Sequence, residues 1–263
     1  MIKRYLSLYL KFLKANFSRE VQFRGNFLLL NIGSLLWSLT LVFYYFFVFN
    51  HVSSVKGWSF GHSLVLVGIY LMFDSVIKAL VENNFSQFPR IIYKGELDFI
   101  LTKPANSQFL VSFSRFSLRN FLRLFAGLAI VLWSIFSFKI KISFFGFLIA
   151  FSAFILGIIV VYSLWFMILL LAFYLGYIEN LYFLFYPLLR ISRIPIDTFP
   201  KPAQIIFSFV LPLVFISTVP AKAIWGQVSW QIMVYGFFAA VFLLYLSHRL
   251  WNLALKSYSS ASS

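Results

Sequence analysis

From Phe27 to Phe49 the chain reads FLLLNIGSLLWSLTLVFYYFFVF, an apolar run without one charged residue. A run of that length is long enough to cross a bilayer as a helix, which needs about 20 predominantly apolar residues. Comparable runs return at His62–Val81, Leu118–Phe138, Phe144–Phe166, Ile178–Ile194 and Ser229–Leu246. In 263 residues they leave room for about six spans joined by short connections and no separate soluble domain. With 62% hydrophobic and 11% charged residues and a mean hydropathy of +0.90, the chain is expected to be an all-α integral membrane protein. A single transmembrane domain over 1–263 follows.

The formal charge of +15 would suggest nucleic acid in a soluble protein. Here the basic residues flank apolar runs, so they are expected to anchor the chain at anionic lipid and to set its orientation, with no nucleic-acid role. The start, MIKRYLSLYLKFLKANF, is basic throughout, and the first long apolar run begins only near Phe27. That run is expected to be a retained span, not a signal core. Within residues 1–24, Ile2, Leu6, Tyr9, Leu10, Leu13 and Phe17 recur at helical spacing opposite Lys3, Arg4, Lys11 and Lys14. This pattern predicts an interfacial amphipathic helix, serving as an elbow into the first span or as a basic anchor. Arg19 and Arg24 put the start of span one inside, and His248, Arg249 and Lys256 follow the last span, so both termini are expected in the cytoplasm.

Charges inside spans are functional candidates by default. Asp74 and Lys78 lie four apart on one helical face, where they can neutralise each other as a site or as a structural tether; Glu179 is the other candidate. Arg115, Arg119 and Arg123, also spaced by four, read as a basic stripe opening span three, snorkelling to phosphates or attracting an anionic headgroup.

The longest internal stretch that is not apolar enough to cross is 82–114, ENNFSQFPRIIYKGELDFILTKPANSQFLVSFS. It carries Glu82, Glu96 and Asp98 of the chain's seven acids, and apolar pairs alternate with charges. Short amphipathic helices at a water boundary fit this pattern, with Pro89 and Pro104 limiting their length. A docking element and an ordinary connecting loop both take this form. Residues 195–226 carry Pro195, Pro200, Pro202, Pro212 and Pro220, too many for one straight spanning helix. They predict two short helices that dip into the bilayer and return, or else a fifth span over Ala203–Val219 kinked at Pro212.

Catalytic chemistry finds little to work with. There is no cysteine and no G-x-x-x-x-G-K-[ST] phosphate loop, and His51, His62 and His248 have no acidic companions in the sequence. No catalytic, cofactor or metal site is expected. What remains is a membrane subunit that works only when something else supplies energy.

The run IIYKGELDFILTKPANSQFLVSFSRF, residues 91–116, resembles the G-x-L-D-x-x-L-x-[KR]-P segment of ABC-2 type permeases. The resemblance is to the branch of about six-span bacterial subunits encoded beside a separate ATPase. Residues 193–226, RIPIDTFPKPAQIIFSFVLPLVFISTVPAKAIWG, are similar to that branch's proline-rich segment, P-x-x-x-F-P followed by P-[LF]-x-F-x-x-x-x-P, and Arg24-Gly25-Asn26 is familiar as well. Arg190 and Arg193 depart from it where many relatives show a tyrosine before the proline, which leaves span five open. The resemblance implies an exporter-type fold with an interfacial helix, six spans, a cytosolic coupling helix between spans two and three, and outer re-entrant helices before span six. It implies that Gly95, Glu96, Leu97, Asp98, Leu101, Lys103 and Pro104 face the ATPase and that Pro195, Pro200, Pro212 and Pro220 belong to an outer gate. It further implies ATP and Mg on a partner ATP-binding cassette subunit, a second permease (a copy or a related chain), and a bacterial inner-membrane location. The expected function is export of a lipid-like, glycan-linked or amphipathic substrate; the alternative is a non-transporting structural or assembly subunit.

Overall fold

Among the described residues, four helices carry the length and apolarity that a bilayer crossing needs: Phe27–His51, Phe60–Tyr93, Phe144–Leu175 and Trp230–Ser257. The structure is a computed structural model and describes residues 7, 9–17, 24–117, 120–175, 178 and 181–258. Among these there is no β-strand, only an isolated bridge between Val55 and Trp58.

In chain order, α1 (9–17) precedes α2 (Arg24–His51), and α3 (Phe60–Ile77) runs on through a π turn, Lys78–Glu82. The segment between crossings is broken into α4 (Asn83–Phe85), α5 (Phe88–Tyr93), α6 (Asp98–Leu101) and α7 (Ser107–Phe113). Then come α8 (Phe121–Ser137), α9 (Phe144–Leu169), α10 (Ala172–Leu175) and α11 (Tyr186–Ile191), the last entered by a 3-10 turn at Leu181–Phe185. The proline-rich part holds α12 (Lys201–Ile205) and α13 (Thr218–Ile224), and α14 (Trp230–Ser257) ends the fold. Hydroxyl caps start two of the long helices: the Ser59 side chain accepts from the His62 amide and that of Ser143 from the Gly146 amide.

The expected third and fifth spans are the shorter ones. α8 has 17 residues, about 25 Å of helix. It runs from Phe121, and Leu118, where the expected span begins, lies outside the described residues. Around the fifth, Pro187 sits at the start of α11 and a 3-10 turn precedes it, so the apolar stretch becomes a broken helix over Leu181–Ile191.

α3 packs most extensively on α8, and their backbones nearly touch. A Cβ on Gly68 would lie 2.6 Å from the Gly127 carbonyl oxygen, and one on Gly127 would lie 2.6 Å from that of Gly68. Small residues permit this approach where helices meet without a hydrophobic driving force between them. α9 packs on α14 and α13, and an aromatic core of Phe85, Phe88, Trp165, Phe166 and Trp251 lies where α4 and α5 meet α9 and α14.

The two ends of the bundle differ. At one, Lys56 Nζ donates to the carbonyls of Thr198 and Phe199, both at 3.3 Å, and the Trp58 indole donates to Asp197. At the other, α4–α7 meet the last turns of α14. Along α9, Gly146 faces the Ala223 backbone and Gly157 faces that of Phe215. Those glycines lie roughly 16 Å apart along the helix. The chain therefore descends from Thr198 to Phe215 and climbs back through α13.

Candidate functional site

The stretch between α3 and α8 is closed by one buried amide. Asn84, 2% exposed, donates to the Arg115 carbonyl at 2.7 Å and accepts from the Arg115 amide at 2.9 Å and the Ser114 hydroxyl at 3.1 Å. The Ser117 amide adds a bond to the Ala79 carbonyl. The two ends of 82–114 are thus tied together, and what lies between must loop out as a unit. Pro89 occupies the first turn of α5, where a missing amide proton costs nothing, so it begins a helix instead of breaking one. Gly95 has φ +69, left-handed backbone that suits glycine at the end of α5. Leu97, fully buried, pins the turn, and Asp98 opens α6. Asn106 then caps α7 by accepting from the Phe109 amide at 3.0 Å.

Gly95, Glu96 and Asp98 are half-buried, whereas Leu101, Lys103 and Pro104 are exposed. The exposed tip also presents Phe99, 74% exposed, and Tyr93, 63% exposed. Neither was singled out in the sequence, because an isolated aromatic in an apolar-rich chain carries no signal of its own. The inner anchorage differs from a route into spans two and three alone. Trp251 of α14 donates to Ser107 Oγ at 3.2 Å, His248 bonds Gln108 at 2.8 Å, and Tyr162 of α9 accepts from Gln108 and bonds Ser112 at 2.9 Å. α7 roofs a cavity of about 360 Å³ lined by Ile77, Val81, Phe113 and Tyr162 among others. Burial first, and then the Asp98 carboxylate, raises the Tyr258 hydroxyl pKa above its ordinary value, which places the end of α14 beside α6.

The charges along α3 and its π turn form a ladder. Tyr70, Asp74, Lys78 and Glu82 succeed one another at four-residue steps along α3 and its π turn. Asp74, 4% exposed, receives Arg123 Nη1 at 2.6 Å and Lys78 Nζ at 3.1 Å. Glu82 accepts from the Tyr186 hydroxyl, and Lys78 lies over the Tyr186 ring. At the other end Arg193 Nε donates to the Tyr70 hydroxyl at 3.1 Å. The expected Asp74–Lys78 pair is therefore present but joined by Arg123, which the sequence places on a snorkelling stripe. That stripe does not form: Ser114–Ser117 is not helical, so Arg115 and Arg123 do not share a helix face, and Arg123 is 3% exposed. Arg119 and Glu179 lie outside the described residues.

Residues 35–262 match the family described as ABC-2 family transporter protein. The chain belongs to that family. A search among curated proteins finds no match. ABC-2 membership agrees with a multi-pass membrane protein and a permease subunit that is not itself the catalyst, and it implies an ATP-binding cassette component in general.

In this ABC-2 family protein each key proline of 195–226 stands at the start of a short helix. Pro195, Pro200 and Pro212 immediately precede helical turns, and Pro220 lies in the first turn of α13. None removes an internal helical hydrogen bond, the reason the segment tolerates them. Its limbs are stitched together: Ser217 Oγ donates to the Ser192 carbonyl at 2.6 Å, and Lys222 pairs with Asp197 at 2.7 Å. Beside Pro220, α3, α8 and α9 enclose an apolar cavity of about 420 Å³.

Proposed function

We propose that this chain is the permease subunit of an ATP-driven exporter in the bacterial inner membrane, with both termini cytoplasmic. Six crossings are assigned to α2, α3, α8, α9, the broken helix Leu181–Ile191 and α14, and 195–226 is the outer re-entrant gate of Pro195, Pro200, Pro212 and Pro220. The ATPase docks on 82–114, contacting Gly95, Glu96, Asp98, Leu101, Lys103 and Pro104, with Leu97 holding the turn from within. ATP and Mg bind that partner, and two permeases make the working dimer. The substrate is lipid-like, glycan-linked or amphipathic, taken up from the surrounding lipid.

One observation carries the reading: 82–114 is a closed, outlooped unit whose tip exposes Phe99, Leu101 and Lys103 beyond the end of the bundle. Its underside is bonded to α9 and α14, so a push on the tip enters two crossings directly. Charge reversal by Glu96→Lys with Asp98→Lys tests this. Loss of co-purification with the ATPase and of substrate-stimulated ATP turnover is expected; unchanged association and transport would sink it, and association without any transport would favour an assembly subunit.

A further inference from the structure

Arg193 differs from the other cations placed within the bundle. Lys78 and Arg123 share Asp74, and Lys222 has Asp197, but no carboxylate among the described residues pairs with Arg193. Its guanidinium carbon lies 5.7 Å from the Trp37 ring centroid and 5.5 Å from that of Tyr70, with Nε bonded to the Tyr70 hydroxyl. Among the described residues, neither terminal nitrogen makes a hydrogen bond. The side chain also points away from the nearer surface. The Arg193 carbonyl accepts from Tyr45, close to the His51 end of α2, while the guanidinium reaches Trp37, about 12 Å further along that helix. An arginine that merely snorkelled would run the other way. Tyr70 lies about 15 Å beyond the start of α3, so the charge is carried towards mid-bilayer depth, where an unpaired cation is expensive and marks a functional site.

We infer that Arg193 binds an anionic oxygen group, a phosphate or carboxylate, at the head of an apolar-tailed molecule. A guanidinium whose Nε is already bonded and whose carbon lies near two aromatic rings presents its two remaining nitrogens as a planar fork, the geometry that takes such groups bidentately. Trp37 is 49% exposed, which leaves the site open to the flank of α2, where a tail can lie against lipid-facing side chains. Asp74 below does not compete for Arg193, since it already bonds two cations. The inference rests on the permease reading for its meaning as substrate chemistry, but the binding itself needs no motor.

Native mass spectrometry of the purified full chain tests it, with short-chain phosphatidylglycerol, phosphatidylcholine and inorganic phosphate as separate probes. Phosphatidylglycerol is expected to be retained over phosphatidylcholine, and Arg193→Gln is expected to weaken its retention about tenfold or more, the value of one charge-assisted hydrogen bond. If the Gln variant does not fold, Arg193→Lys decides: it keeps the charge and loses the fork, and a several-fold loss supports the site while no loss overturns it. Displacement of phosphatidylglycerol by inorganic phosphate supports the same chemistry with a free anion as its source. Equal retention by Arg193→Gln, or equal retention of the two lipids, overturns it. Since no ATPase is present, failure here is separate from failure of the docking test above.

Discussion

Asp74→Asn should be among the most destabilising single changes in the chain, and the reason lies in how unequally its two cations are placed. Arg123 is buried, its side chain 4% exposed, and its bond to Asp74 is 2.6 Å; its Nε and Nη2 have no other partner. Removing the carboxylate leaves that guanidinium charged and unpaired in the interior, a loss of about 3–5 kcal/mol for a broken buried pair. Lys78 is 17% exposed at 3.1 Å, and without it Asp74 keeps Arg123. Lys78→Met should therefore cost only about 0–1 kcal/mol, in the range of partly solvated pairs. Arg123→Met leaves Asp74 with Lys78 and should cost about 1–3 kcal/mol, less than Asp74→Asn, and the double variant should cost clearly less than the sum, because it orphans no buried charge. Reversible unfolding in mixed micelles, followed by circular dichroism, gives all four corners of the cycle. If the double variant is additive, or if Lys78→Met costs as much as Arg123→Met, the buried pair is not the unit that holds α3 to α8.

The α3–α8 crossing gives a second test: Gly127→Ala puts a methyl against the Gly68 carbonyl and should cost about 1–3 kcal/mol, whereas Gly33→Ala in α2, with nothing within 4 Å, should be neutral or slightly stabilising in the same assay. Trp251→Ala removes a 1% exposed ring and its bond to Ser107, and should cost about 3–5 kcal/mol while speeding limited proteolysis within 82–114. Because the chain has no cysteine, single substitutions Phe99→Cys and Lys56→Cys can be labelled directly with an impermeant reagent; labelling from opposite sides of the membrane is expected, and labelling from the same side would refute the arrangement of the two bundle ends.

The parts of the fold that sequence reading reached are those governed by local rules. An uncharged run such as Phe27–Phe49 has little choice of environment, and prolines as dense as those of 195–226 exclude one straight helix; that Pro212 stands just before a helical turn was not legible. The turn at Gly95 was not read from the local pattern; Gly95 entered only through the resemblance to the permease segment, and its left-handed backbone is seen in the structure. Arg123 was not legible either. Its spacing from Arg115 and Arg119 has meaning only on a continuous helix, and Ser114–Ser117 is drawn out of helix by Asn84 and Ala79. Its true partner is 49 residues away, and nothing in the local pattern encodes that pairing. His248, expected only to follow the last span, meets Gln108 across 140 residues, and Arg193 meets Tyr70 across 123. The candidate site is built mostly from such pairings, which is why its members could be suspected one at a time but not assembled.

Those pairings also constrain how the site can move. α11 and the turn after it hold α3 twice, through Tyr186 on Glu82 and through Arg193 on Tyr70. The inner contact lies on the π turn Lys78–Glu82, where hydrogen bonding is poorer than in a regular α-helix and register is easier to change. The outer contact lies on regular helix. On the permease reading, displacement of α4–α7 reaches α3 first at this softer end, since α4 follows the π turn without a break. Glu82 and Lys78 would shift relative to Tyr186 before Asp74 shifts relative to Arg123, and Arg193 would follow only if α11 moves with them. Tyr186→Phe should then loosen the inner contact and leave the outer one in place, whereas a cross-link fixing α11 to α3 should arrest both.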